Sequence, residues 1–122
     1  MGVTHVSGLG YRKGVGGSVT QTTNRATGVT LNAMCGSITT DTTSLAAEAS
    51  AVFTVTNSFV EIGDVVMVCQ RSGKVALNTQ VEVTAVANGS FNITVINNNV
   101  AAGTAETGAI VINFAVIKAV TS

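Results

Sequence analysis

The chain has 122 residues, enough for one domain with a modest core and too few for two. Six basic and six acidic side chains give a formal net charge of zero, and only 10% of the residues are charged, against about 25% in typical soluble domains. Such a neutral surface offers no electrostatic attraction to nucleic acid or anionic lipid, so neither is expected as a partner. No run approaches the roughly 18 apolar residues that span a bilayer, and the first residues lack a signal-peptide layout, so export by that route is not expected.

Residues 1–27 differ in composition from the rest of the chain. They are rich in glycine, poor in large apolar residues, and contain three of the six cations, Arg12, Lys13 and Arg25. Such a segment cannot bury enough apolar area to order itself, so it is predicted to be an extended N-terminal arm. Tyr11 beside two cations suits docking onto a partner surface. A disordered terminus without a role is the alternative.

From Val29 onward, apolar and polar residues alternate with a period of two over short runs, which is typical of β-strands. The predicted strands, in chain order, are residues 29–33, a short strand at Ile38, and residues 51–57, 64–70, 79–87, 91–97 and 108–120. Residues 64–70 are nearly all apolar and are predicted to form a central strand. Asn88 and Gly89 predict a hairpin turn. The fold class is therefore all-β, a small antiparallel β-sandwich of about seven strands over residues 28–122.

The last strand is apolar on both faces. The inward positions of all the strands form the predicted core: Leu31, Ile38, Phe53, Val55, Val66, Val68, Val83, Phe91, Ile93, Val95, Ile110, Ile112 and Phe114. On the other face of the last strand, Val111, Ala115 and Ile117 have no internal destination, and neither does part of the strand at residues 64–70. An exposed apolar patch of this kind generally marks an interface, so these three residues are predicted to form the contact of a homo-oligomer.

The residues with catalytic or metal-binding potential form no recognisable constellation. His5 is the only histidine, and the six carboxylates are scattered singly along the chain. No cofactor and no metal are expected, and the chain is not predicted to be an enzyme. Cys35 and Cys69 could in principle pair, but two cysteines in a β-rich chain without a signal peptide are expected to be reduced and buried.

Four stretches together carry a resemblance to a known family. They are GVGGSVTQTTNRATGVTLNAMCGSITTD (residues 14–41), AVFTVTNSFVEIGDVVMV (residues 51–68), GSFNITVIN (residues 89–97) and AIVINFAVIK (residues 109–118). In this order they resemble a family of small bacteriophage virion proteins, the head decoration and head fibre proteins. The resemblance implies a β-sandwich module, typically trimeric, that is displayed on a phage particle.

Within that family, decoration of the shell is preferred over a fibre, because the chain has no extended repeat or coiled-coil shaft. The expected function is a capsid decoration (cement) protein that binds the major capsid protein as a homo-oligomer, a trimer, on the virion surface after synthesis in the host cytoplasm. Tyr11, Arg12, Lys13 and Arg25 would then contact the shell. The alternative is a fibre or tip module that binds a host receptor or glycan, which the scarcity of aromatic residues disfavours.

Overall fold

The computed structural model describes residues 11–119; residues 1–10, which include His5, and residues 120–122 lie outside the described part. Within the described residues the fold is all-β, without a helix, and eight strands form two packed sheets. The strands are β1 (Ser18–Thr20), β2 (Val29–Thr30), β3 (Cys35–Thr39), β4 (Ser50–Thr56), β5 (Val65–Ser72), β6 (Thr79–Ala87), β7 (Ser90–Asn97) and β8 (Val111–Ile117). The predicted β-sandwich is thereby confirmed.

The two sheets each contain four strands and are mixed. The first sheet has the order β1-β3-β8-β5, and the second has the order β2-β4-β7-β6. The pairs β1–β3 and β2–β4 are parallel, whereas all other neighbours are antiparallel. The prediction of a purely antiparallel sandwich was wrong for these two pairs. The reason is that the first four strands alternate between the sheets, so successive strands of one sheet are joined by a crossover rather than a hairpin.

The core lies between the sheets, and alternation of buried and exposed residues along the strands builds most of it. In β8, Ile112, Phe114 and Val116 are buried, and the Phe114 ring packs against that of Phe91 at a centroid distance of 5.5 Å. Burial of each such side chain stabilises the fold by about 1.5–3 kcal/mol. Nine of the predicted core residues are buried: Ile38, Phe53, Val55, Phe91, Ile93, Val95, Ile110, Ile112 and Phe114. The other four are half-buried and pack against this cluster: Leu31, Val66, Val68 and Val83.

Two strands depart from the expected pattern. The strand predicted to be central, β5, is an edge strand that pairs with β8 and with no other strand of residues 11–119. Its run of apolar residues indicated burial on both faces, but no layer formed by the described residues covers the outer face. In β6 the register shifts between Val83 and Ala85, so Val86 is half-buried against the core and Ala85 is exposed. A β-bulge reverses the alternation beyond the extra residue, and the period-two pattern does not predict where that occurs.

Residues 18–27 are part of the sandwich, whereas the sequence predicted an arm that extends to residue 27. Strand β1 pairs with β3, and Gln21 is buried. The Gln21 side-chain amide donates to the carbonyl oxygens of Arg25 and Thr27, both at 2.9 Å, and its oxygen accepts from the amide of Asp41 at 2.9 Å. Backbone pairing and polar contacts therefore order this segment, and the prediction considered only apolar burial.

Candidate functional site

The outer face of the first sheet carries the largest group of exposed apolar side chains on any strand pair. Val65 and Met67 of β5 are 47% and 58% exposed, and Ile117 of β8 is 43% exposed. Val65 lies opposite Ile117, and Met67 lies opposite the half-buried Ala115. These four residues are here called the apolar outer face. A contiguous patch of this kind on a sheet is a candidate contact surface.

The remaining half of the same sheet face is polar. Ser37 of β3 donates its hydroxyl proton to the Asn113 side-chain oxygen of β8 at 2.7 Å. Val111 lies between Thr39 and Ser72 in the register, on the far side of Asn113 from Ala115. Of the three predicted interface residues, Ala115 and Ile117 therefore belong to the apolar outer face. Val111 also faces outward but is half-buried among hydroxyl-bearing neighbours.

A shallow depression of about 260 Å³ opens on the apolar outer face. It is lined by Met67, Val68, Cys69, Asn113, Phe114 and Ala115. Ala115 has the smallest side chain on the outer face of β8, and the longer side chain of Met67 lies beside it on the neighbouring strand β5. The surface therefore has a protruding, adaptable side chain next to an apolar recess. This recess is here called the Ala115 depression.

Charges of opposite sign lie at the two ends of β5. At its start, the Lys118 ammonium donates to Glu61 at 3.0 Å and to Asp64 at 2.7 Å, so this group has one positive and two negative charges. The hydrogen bond from Lys118 lowers the pKa of Asp64 from its ordinary value. At the other end, Arg71 is exposed in a β-bulge, and no hydrogen-bond partner is found for it within residues 11–119. One end of the strand is thus negative and the other positive.

Arg25, predicted to contact a partner surface, is buried inside the sandwich, and this prediction was wrong. Its guanidinium donates to the carbonyl oxygen of Thr43 at 2.5 Å, to the Thr40 hydroxyl at 3.0 Å and to the carbonyl oxygens of Glu106 and Gly108 at 3.3 and 2.9 Å. Burial lowers the pKa of Arg25, while the nearby Glu106 carboxylate opposes that shift. The Arg25 guanidinium links the loops that carry these oxygens. The oxygens in turn accept hydrogen bonds from a buried charge that would otherwise be unpaired.

Glu106 is the second charged residue of this interior, and its role was not predicted from the sequence. Its carboxylate accepts from the amides of Val75, Ala76 and Gly108 at 2.8, 2.9 and 2.8 Å and from the Thr79 hydroxyl at 2.6 Å. Burial raises the pKa of Glu106, but these four hydrogen bonds outweigh it, so the pKa lies below its ordinary value. The carboxylate holds the loop after β5 in place. It stands among small residues in the sequence, where nothing distinguishes it from an exposed glutamate.

The three remaining residues predicted to dock onto the shell lie at the start of the described chain. The Tyr11 hydroxyl donates to the carbonyl oxygen of Val116 at 2.5 Å, beside the end of β8. Tyr11 is thus hydrogen-bonded to its own sandwich, and the residue is 45% exposed. Arg12 and Lys13 are exposed. Of the four predicted docking residues, these two are therefore the cations available to a partner.

A second cavity lies among the loops near the end of β7. It measures about 390 Å³ and is lined by Glu48, Asn98, Asn99, Val100 and Ala101. Glu48 adopts a left-handed backbone conformation with φ of 69°, which non-glycine residues rarely populate. The Asn99 side chain is fixed because it accepts from Asn78 at 3.1 Å and donates to Thr104 at 3.0 Å. Carboxylate and amide groups of this kind can bind hydroxyl groups.

Both cysteines have free thiols; Cys35 is half-buried, and Cys69 is exposed, which corrects the expectation that both are buried.

Within residues 11–119, no three side chains of His, Cys, Asp or Glu lie together as a metal site. The same part of the chain contains no helix that is long and apolar enough to cross a membrane. Comparison with protein-family models, with curated proteins and with solved structures found no match to the chain.

Proposed function

We propose that this protein is a virion structural protein that decorates and stabilises a phage capsid by binding the major capsid protein as a homo-oligomer. The observation that carries the proposal is the apolar outer face of the first sheet. Val65, Met67 and Ile117 remain exposed although the sandwich already has a complete core between its sheets. A surface of this kind fits a protein whose role is assembly.

The capsid contact is assigned to Arg12 and Lys13, the exposed cation pair that precedes β1. Several such pairs, one from each copy of an oligomer, would bind a symmetric shell together, so that weak individual contacts give a stable attachment. Arg25 has no part in this contact, because its charge is satisfied inside the sandwich. The resemblance to head decoration and head fibre proteins supports the choice of a capsid as the partner.

The test is to locate the full-length protein on particles of the phage whose genome encodes it. An antibody raised against the purified chain, used in immunogold electron microscopy, is expected to label the head surface with many copies per particle. The double variant Arg12→Glu/Lys13→Glu should lose attachment to particles while keeping its oligomeric state, because both residues lie on the surface of the sandwich. Heads without label, or label only at a tail, would refute capsid decoration.

A fibre or tip module that binds a host receptor or glycan is the second candidate. The observation that favours it is the polar cavity lined by Glu48, Asn98 and Asn99, whose carboxylate and amide groups suit the hydroxyl groups of a sugar. Binding of the wild-type protein to defined glycans on an array, lost in Glu48→Ala, would support this candidate. Labelling of the heads alone, with no glycan bound, would support decoration instead.

A further inference from the structure

We infer that the apolar outer face binds a second copy of this chain through a two-fold axis, with the two β5 strands antiparallel and Met67 of each copy seated in the Ala115 depression of the other. This inference rests on the proposed homo-oligomer and specifies its contact. It differs from the trimer that the family resemblance implies.

The shape of the face supports self-association. The Met67 side chain is 58% exposed and stands directly beside the recess over Ala115. A two-fold axis places each copy's protrusion against the other copy's recess, since residue i then contacts residue j and the reverse contact follows by symmetry. Methionine is flexible enough to fill such a recess without a preformed exact fit. One symmetric contact therefore covers both exposed features.

The charges select the antiparallel orientation. Lys118, Glu61 and Asp64 together carry a net charge of minus one at the start of β5, from one positive and two negative groups, and the Glu61 side chain is 73% exposed. Arg71 carries a positive charge at the other end of the same strand. When two β5 strands run antiparallel across a two-fold axis, each Arg71 meets the negative group of the other copy. This complementarity occurs twice in the same interface.

The same arrangement of charge argues for a second copy over an unrelated protein. A face with opposite charges at its two ends and an apolar centre is complementary to itself under a two-fold rotation, and an unrelated partner would have to reproduce that pattern. Strand β5 is also an edge strand of its sheet and pairs with β8. In the part of the chain that the structure describes, no other strand lies beside it to obstruct the approach of a second sandwich. Asn113 borders the contact as part of the lining of the Ala115 depression, and the polar part of the sheet beyond it, around Ser37, stays outside.

The first test measures the mass of the full-length protein by sedimentation equilibrium at micromolar concentration. The wild type is expected to be a dimer. Met67→Asp should raise the dissociation constant by roughly 100-fold or more, because a carboxylate would then enter an apolar recess. Val52→Asp is the matched control. Val52 is 46% exposed on the outer face of the second sheet, so this variant should remain dimeric.

The second test reverses charges at the two ends of β5. Arg71→Glu alone and Glu61→Arg alone should each raise the dissociation constant by roughly fivefold to tenfold, because each creates two like-charge contacts. The double variant Arg71→Glu/Glu61→Arg should restore the wild-type affinity. This rescue depends on the contact between the two residues across the axis, which a merely structural role of either residue would not produce.

The outcomes separate this inference from the proposed function. A wild-type dimer that Met67→Asp dissociates, with rescue by the double charge reversal, supports the two-fold contact. A trimer, or a dimer that Val52→Asp dissociates and Met67→Asp does not, overturns the two-fold contact and leaves the oligomeric virion protein standing. A monomer at all concentrations, with circular dichroism showing that the variants are folded, overturns both.

Discussion

Replacing Glu106 by glutamine tests whether one buried carboxylate holds the loop that follows β5. In the wild type, one carboxylate oxygen accepts from the amide of Ala76 and the hydroxyl of Thr79, and the other accepts from the amides of Val75 and Gly108. Glutamine has nearly the same shape but replaces one oxygen with an amino group. With the amino group on the side of Ala76 and Thr79, the Thr79 hydroxyl can rotate to accept from it, and the amide of Ala76 then faces another donor instead of an acceptor.

The expected loss of stability follows from this one donor. A buried donor left without an acceptor costs about 1–3 kcal/mol, and Glu106 itself is fully buried. Removing the negative charge also takes away a favourable interaction with the nearby Arg25. The total is a large part of the roughly 5–15 kcal/mol by which a domain is stable.

The assay is urea denaturation followed by far-ultraviolet circular dichroism, at one fixed protein concentration because association contributes to the measured stability. Glu82→Gln is the matched control, since Glu82 is exposed in the middle of β6 and should change the unfolding free energy by less than about 0.5 kcal/mol. If Glu106→Gln were as stable as this control, the carboxylate would not be the element that holds the loop.

Three further predictions follow from the same interior and from the outer face. The wild type should lose stability as the pH falls below about 4.3, the ordinary pKa of a glutamate in an unfolded chain. The reason is that the pKa of Glu106 is lower in the folded state, so the unfolded chain takes up the proton first. In urea titrations between about pH 3 and 7, Glu106→Gln should show a weaker dependence of the unfolding free energy on pH. Maleimide should label Cys69 faster than the half-buried Cys35 in dilute protein, and association should protect Cys69 selectively, as peptide mass spectrometry would detect. Gly73→Ala should destabilise by about 3 kcal/mol or more, since a Cβ there would lie 2.0 Å from a backbone carbonyl oxygen, whereas Gly89→Ala, at a similar positive φ in open space, should cost about 1 kcal/mol in thermal unfolding.

The local pattern predicted most of the strands because each has a period of two that a sandwich core requires. Phe91, Ile93 and Val95 are buried as expected, and the neighbouring hairpin turns at Asn88 and Gly89. Alternation is a property of a few consecutive residues, so it survives whatever the topology is. The core was predictable for this reason.

The position of each strand in its sheet depends on the whole chain and was not predictable from local pattern. An apolar run such as residues 65–69 of β5 has the same signature whether it lies inside a sheet or at an edge that another molecule covers. The parallel pairing of β1 with β3 likewise depends on a crossover between sheets. Composition could not indicate it, because Ser18–Thr20 contains one apolar residue.

The candidate site was predicted in part. Ala115 and Ile117 lie on the apolar outer face, but the Ala115 depression arises from pairing between β5 and β8, which places Met67 opposite Ala115 although the two residues are more than forty positions apart in the sequence. Arg25 failed as a docking residue for a related reason. Its partners include the carbonyl oxygens of Glu106 and Gly108, whose proximity only the folded chain reveals.

The central place of β8 in the first sheet has a consequence for how the protein forms in the cell. Strands β3 and β5 both pair with β8 and not with each other, so the first sheet cannot assemble before residues 111–117 have been synthesised. Until then the nascent chain exposes strand edges that invite aggregation, and the many long-range pairings make closure slow. Premature termination before residue 111 should therefore yield an insoluble product, whereas the hairpin of β6 and β7 can form early on the ribosome.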